Sequence, residues 1–302
     1  MISGDQDMTK ASGPPGVSGE AWVRRALRRP RPVARAATAL AVRRPFWMVG
    51  IMLAGIGACV VMPLSRAAGD QAARDPAATR GTPFTGTAAV GALFTSSDGH
   101  LGSHFCTASV VDSPAGNLLV TAAHCMAGRS LAAASGVVFA PGYDDGTFPF
   151  GTWTVRATYV DSAWLKDQNP NDDVAFLVAG QPGTDIQQQT GANTLMINEP
   201  AQTVRVVGYP DATNAPLTCT APARDFGPSQ LVFDCDNYTN GTSGGPFIAN
   251  VDPRTGEGWV IGVIGGYQQG GDTPDVSYSP RFSTAVFDLY ETAVAAVAAS
   301  SG

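Results

Sequence analysis

The chain has 302 residues, 44% of them apolar, with 35 glycines and 22 prolines. That suits one large or two small turn-rich globular domains and argues against long helices. Residues 1–45 carry nine Lys/Arg against three Asp/Glu, and the remainder carries ten against 22; an acidic main body without a basic stripe excludes nucleic acid as an expected partner.

Residues 1–45 are rich in Pro, Gly, Ala and Arg, lack sustained periodicity, and read as a disordered basic region. The next stretch, 46–64, contains no charged residue and includes Met48-Val49-Gly50-Ile51-Met52-Leu53. Its length lies between a signal-peptide core and a membrane-spanning helix, and its basic N-terminal flank places the rest of the chain outside the cytoplasm. Ser65-Arg66-Ala67 offers a small-x-small cleavage site, and Arg43-Arg44-Pro45-Phe46 partly matches a twin-arginine export signal. Ile56-Gly57-Ala58-Cys59 faintly matches a lipoprotein acceptor site, but the apolar Val60-Val61-Met62 after it favours an ordinary membrane-embedded cysteine. The expectation is export, by secretion or with an N-terminal anchor, and membrane contact only through 46–64 if that segment stays uncleaved. Residues 65–86, rich in Ala, Gly, Pro and Thr, read as a linker or propeptide, and 87–302 as the globular domain.

Within that domain short apolar runs are punctuated by Gly, Pro, Asn and Asp. They predict strands at 88–94, 107–111, 117–122, 136–140, 153–159, 174–178, 203–207, 231–233, 246–249 and 259–264, which together suggest an all-β barrel or sandwich. Val286, Phe287, Tyr290, Val294 and Val297 recur at helical spacing and predict one amphipathic C-terminal helix, a packing feature.

Four cysteines lie outside the membrane-like segment: Cys106, Cys125, Cys219 and Cys235. An even number in an exported domain points to disulfides. Three pairings are possible. Their positions favour Cys106–Cys125 and Cys219–Cys235, each closing a short loop worth about 3 kcal/mol in the chain-entropy view. No C-x-x-C spacing or histidine cluster supports a metal, and no cofactor is expected.

Three segments carry candidate chemistry. In Asn240-Gly241-Thr242-Ser243-Gly244-Gly245-Pro246 a serine sits among glycines ahead of an apolar run. Such a turn projects a hydroxyl while neighbouring N–H groups point at one spot, as acyl transfer requires. In Leu119-Val120-Thr121-Ala122-Ala123-His124-Cys125 an apolar run ends in small residues and a histidine, and a general base needs that rigid placement with one ring edge open. The other histidines, His100 and His104, fall in a polar loop and are read as solvated or incidental. Asp172 and Asp173 precede an apolar run; Asp173, adjoining it, is better placed to point inward and orient an imidazole.

Thr121-Ala122-Ala123-His124-Cys125, Asp173-Val174-Ala175 and Gly241-Thr242-Ser243-Gly244-Gly245-Pro246 together resemble the three signatures of chymotrypsin-like (trypsin-superfamily) serine proteases, in the order His, Asp, Ser. The resemblance covers about residues 85–297. It implies two antiparallel six-stranded β-barrels with a C-terminal helix and the active site between the barrels. It further implies Ser243 as nucleophile, His124 as general base and acid, Asp173 as orienting acid, the N–H groups of Gly241 and Ser243 as oxyanion hole, and Cys106–Cys125 as the disulfide beside the histidine. Protein or peptide substrates follow.

Departures from the family pattern refine this. Zymogen-activated members place an aspartate before the serine to pair with a freshly cut N-terminal amine. Here Thr242 stands there, and the pattern looks closest to bacterial secreted trypsin-like and glutamyl-endopeptidase-like enzymes. Asn237, six residues before the serine, replaces the aspartate of enzymes that cut after Arg or Lys, with Asp236 one position further away. Ile264 falls where glutamate-specific relatives carry a histidine. Gly265, Gly266 and Tyr267 open the run expected to pair with substrate backbone. The resulting expectation is an exported serine endopeptidase; the alternatives are an inactive protease-like binding module and an esterase using the same residues.

Overall fold

The computed structural model describes residues 79–129, 136–181 and 184–300. The basic region 1–45, the apolar stretch 46–64 and the linker up to residue 78 lie outside the described residues. Among the described residues no helix is long and apolar enough to cross a membrane.

The first barrel is built from β2 (Val90–Ser97), β3 (His100–Val111), β4 (Leu118–Thr121), β5 (Val137–Pro141), β6 (Trp153–Val160) and β7 (Ala175–Gly180). They pair antiparallel and close in the order β2-β3-β4-β7-β6-β5. Alternation sets the faces: along β6, Trp153 and Val155 are buried while Thr154 and Arg156 are exposed. Leu93, Leu119, Phe139, Trp153 and Leu177 fill the interior, each contributing about 1.5–3 kcal/mol over its exposed state.

The second sheet runs β14 (Val276–Pro280), β11 (Gln230–Asp234), β10 (Leu217–Phe226), β9 (Thr203–Gly208), β12 (Pro246–Ala249), β13 (Trp259–Val263). The two-residue strands β1 (Thr82–Pro83) and β8 (Thr194–Leu195) add to β10 and β13. Its ends meet where the Gly265 N–H donates to Tyr278 O and the Val263 N–H to Ser279 Oγ, both at 2.9 Å. Six principal strands thus curl into the second, barrel-like half of the expected all-β fold.

Two strands, β10 and β14, lie outside the expected set for identifiable reasons. In β10, Pro222 ends the pairing with β9 just where Ala223 begins pairing with β11, so the missing N–H falls at the changeover. In β14 the buried positions Ser277 and Ser279 are polar, and Ser279 is buried because its hydroxyl helps to join the sheet ends. Short helices α1 (Ser162–Asp167) and α2 (Ile186–Thr190) also occupy segments expected as loops. Residues 79–83, expected in the linker, are tied to the fold through β1 and the bridge from Arg80 to Asp236.

The halves share a core in which Val90, Leu118 and Phe176 meet Val207, Ile248 and Val263. The C-terminal helix α3 (Thr284–Ser300) buries Val286, Leu289, Ala293 and Val297 on this core. Phe287, expected on the packed stripe, is exposed and stacks on Tyr290, whose hydroxyl donates to Asp112 O at 2.9 Å. Cys106–Cys125 and Cys219–Cys235 are bonded, spanning 19 and 16 positions.

Candidate active site

His124 sits in a 3-10 turn, Ala123–Met126, that ends β4. Ala122 and Ala123 are buried and leave room for the imidazole, and the Cys106–Cys125 bond ties the turn back to β3. Asp173 is delivered by a relay of local caps. The Asp161 carboxylate accepts from Ala163 N–H at the start of α1, and Gln168 ends that helix in the left-handed conformation. The 3-10 turn Pro170–Asp172 then hands the chain to β7.

Asp173 is fully buried and accepts three hydrogen bonds. The His124 backbone N–H reaches Oδ1 at 2.8 Å. His124 Nδ1 and the Gly266 N–H both reach Oδ2, each at 2.8 Å. Asp172 instead stays in the turn, accepting from Asn169 Nδ2 at 2.6 Å, with its pKa raised by burial and by Asp161.

The serine turn is clamped by Thr107 on β3. The Thr107 N–H donates to Ser243 O at 2.8 Å, and its hydroxyl donates to Gly241 O at 3.0 Å while accepting from Tyr209 N–H at 2.9 Å. The Thr242 hydroxyl donates to Thr239 O at 2.7 Å, so the turn braces itself at the position where an aspartate would await an amine. Gly241 (φ +91°) and Gly244 (φ +79°) occupy conformations that only glycine adopts without strain. Among the described residues nothing accepts from the Gly241 and Ser243 N–H groups.

His124 and Ser243 line one cleft of about 820 Å³. No hydrogen bond joins Ser243 Oγ to His124 in this structure, a separation common in unliganded sites. His124 and Ser243 thus share the cleft, while Asp173 does not line it and is joined to His124 from the interior.

The expected substrate-contacting residues are distributed differently. Asn237 does not line the cleft: it has φ +81°, and its Nδ2 donates to Gly81 O at 3.1 Å. Asp236 pairs with Arg80 at 2.6 Å, and that hydrogen bond, with one from Asn237 N–H, holds its pKa below the usual range. Gly265 packs against Asp173 and Ala122 behind the site, Gly266 spends its N–H on Asp173, and Tyr267 joins a cluster with Phe226 and Tyr278. None of the three lines the cleft; Ile264, Gln268, Gln269 and Ser277 do. His104 is buried, with Nε2 at 3.0 Å from Thr213 O and its ring edge-on to Phe94.

Gln230, on β11, was not foreseen. Its Nε2 donates to Pro170 O at 3.0 Å and Asn171 Oδ1 at 2.9 Å, and its Oε1 accepts from Tyr267 N–H at 3.2 Å. It therefore ties the turn that carries Asp173 to the loop that supplies the Gly266 N–H. Nothing in sequence marks a glutamine in a strand for this task.

Residues 102–263 match the trypsin-like peptidase domain family. A curated relative, the extracellular metalloprotease of Bacillus subtilis (strain 168), is 28% identical over 148 residues, and the match spans 48% of this chain and 46% of that protein. A metal does not fit the present site. The Cys106, His124 and Cys125 ligand atoms lie within 4.8 Å of one another, but the two sulfurs are bonded together and offer no thiolate. Among solved structures, protease Anisep from Arthrobacter nicotinovorans aligns with TM-score 0.59 and 24% identity, over 71% of this chain and 99% of that one. The thermostable serine protease AL20 from an extremophilic microorganism aligns with TM-score 0.58 and 27% identity, over 69% and 98%. A Glu endopeptidase aligns with TM-score 0.55 and 18% identity, over 72% and 97%. With the fold, the clustered residues and the family match all in agreement, the chain belongs to the trypsin-like peptidase domain family of chymotrypsin-like serine proteases.

Proposed function

We propose that this protein is an exported serine endopeptidase that cleaves proteins or peptides through Ser243, His124 and Asp173. The observation that carries the reading is the fully buried Asp173 holding both the backbone and the ring of His124, which lines the cleft it shares with Ser243. His124 Nδ1 bears the proton given to Asp173, leaving Nε2 as the base. Nε2 takes the Ser243 hydroxyl proton as Oγ attacks the scissile carbonyl, and the oxyanion forms against the Gly241 and Ser243 N–H groups. The protonated imidazole returns its proton to the departing amine, leaving an acyl-ester on Ser243. Water, deprotonated by His124, then hydrolyses that ester. Each oxyanion donor is worth about 10²–10³ in turnover. Export is supported by the two disulfides, which form and persist outside the reducing cytoplasm.

The test is labelling of the full chain with a fluorophosphonate probe alongside cleavage of an unfolded protein, compared with Ser243→Ala. Labelling and cleavage that both vanish in the variant support an endopeptidase. Labelling with ester but no peptide turnover selects an esterase. An unmutated protein that is never labelled and cleaves nothing is a binding module, and the proposal fails.

A further inference from the structure

The cleft is lined by Phe105, the Cys106–Cys125 bond, His124 and Arg129 from the first-barrel part of the chain, and by Asp211 and Asp272 among others from the second. Arg129 is the only Lys or Arg among the described residues lining the cleft, and its guanidinium carbon stands 4.2 Å above the centre of the Phe105 ring. Among the described residues no carboxylate pairs with it. A half-buried cation held by a ring but without an anion carries an uncompensated desolvation cost, and burial indeed lowers the Arg129 pKa. Such a charge is stabilised when a ligand supplies the carboxylate.

The chemistry fixes which part of a substrate reaches it. His124 hands its proton to the departing amine, so the leaving half of the peptide lies on the His124 side of Ser243. On that side His124 adjoins Cys125, which is bonded to Cys106 beside Phe105, the ring on which Arg129 stands. We propose that Arg129 selects substrates bearing an acidic side chain at the first or second position after the scissile bond. The inference rests on the reading of Ser243 and His124 as catalytic.

The test has two arms. In the first, the full chain digests a random peptide library and the new N-termini are sequenced. Asp and Glu should be enriched about three- to tenfold at the first two positions, the range for a partly screened ion pair. The enrichment should vanish in Arg129→Ala and pass to Lys and Arg in Arg129→Glu. In the second arm, Ser243→Ala protein is titrated with peptides that differ only by Glu or Ala on the leaving side. The Glu peptide should bind severalfold tighter, and not so when Arg129→Ala is added. Equal enrichment or equal binding with and without Arg129 overturns the inference. Loss of hydrolysis alone, with the binding difference intact, would count against the catalytic reading and leave Arg129 as an acid-binding residue.

Discussion

Replacing Asp173 by asparagine preserves shape and removes the charge at the most constrained point of the site. Asp173 is fully buried and accepts from three N–H groups, two on Oδ2 and one on Oδ1. An amide has one accepting oxygen and one donating NH₂ group. With its oxygen in the Oδ2 position, the NH₂ faces the His124 backbone N–H. Turned round, it faces the Gly266 N–H and drives the His124 proton onto Nε2, where under the proposed mechanism the ring no longer serves Ser243 as a base. One buried donor is stranded in either orientation, which costs about 1–3 kcal/mol of stability. The wrong tautomer costs about 10⁴ in kcat. Peptide hydrolysis, fluorophosphonate labelling rates and thermal melts of Asp173→Asn would measure both effects. Asp172→Asn is the control: Asp172 only braces its own turn, and its replacement should alter kcat by less than about twofold. An Asp173→Asn enzyme retaining more than a tenth of wild-type kcat, or an Asp172→Asn enzyme equally crippled, would refute the assignment.

Gly244→Ala should be severe, since φ is +79° and a Cβ there would run into Thr121 Oγ1 and the Thr107 carbonyl. A loss exceeding about 1 kcal/mol from the backbone alone lowers Tm by several degrees, and the displaced turn should abolish labelling of Ser243; a variant with unchanged Tm and labelling would contradict the clamp. Gln230→Leu strands the Pro170 carbonyl and the Tyr267 N–H. It should lower kcat about tenfold with little change in KM, and move the low-field proton resonance of His124 Nδ1, because the Gly266 donor shifts on Asp173. A kcat loss with that resonance unmoved would assign Gln230 to folding alone. Glu257 has its pKa raised above 4.5 by burial and then by Asp252. The folded state binds that proton more tightly, so its favourable contribution is complete below the unfolded pKa and is lost as pH rises through the folded one. Glu257→Gln should therefore raise Tm at pH 7 and leave it unchanged near pH 3, and equal melting shifts at both pH values would exclude the linkage.

The three signature segments were legible because their chemistry is local. A serine among glycines, a histidine after small residues and an aspartate against an apolar run are each dictated by neighbours in sequence. The alternating strands of the first barrel were legible for the same reason, as with Trp153 and Val155 along β6. β10 and β14 were not, because a proline interrupts the one and two serines occupy buried positions of the other. Their places are set by the changeover at Pro222 and by the Ser279 hydroxyl joining the sheet ends.

Sequence by itself determined the family, the all-β class and the order His124, Asp173, Ser243, since these depend on residue type, spacing and periodicity. Only the tertiary structure decided what holds and faces those residues. Thr107 reaches Gly241 from 134 positions away, the Gly266 N–H reaches Asp173 across 93, and Gln230 spans the two loops at separations of 60 and 37. It also turned Asn237 out of the cleft, engaged Asp236 with Arg80 and set Arg129 over Phe105. Hydrogen bonds and ring contacts of this kind depend on where strands meet in space, and no pattern along the chain encodes a partner a hundred residues away.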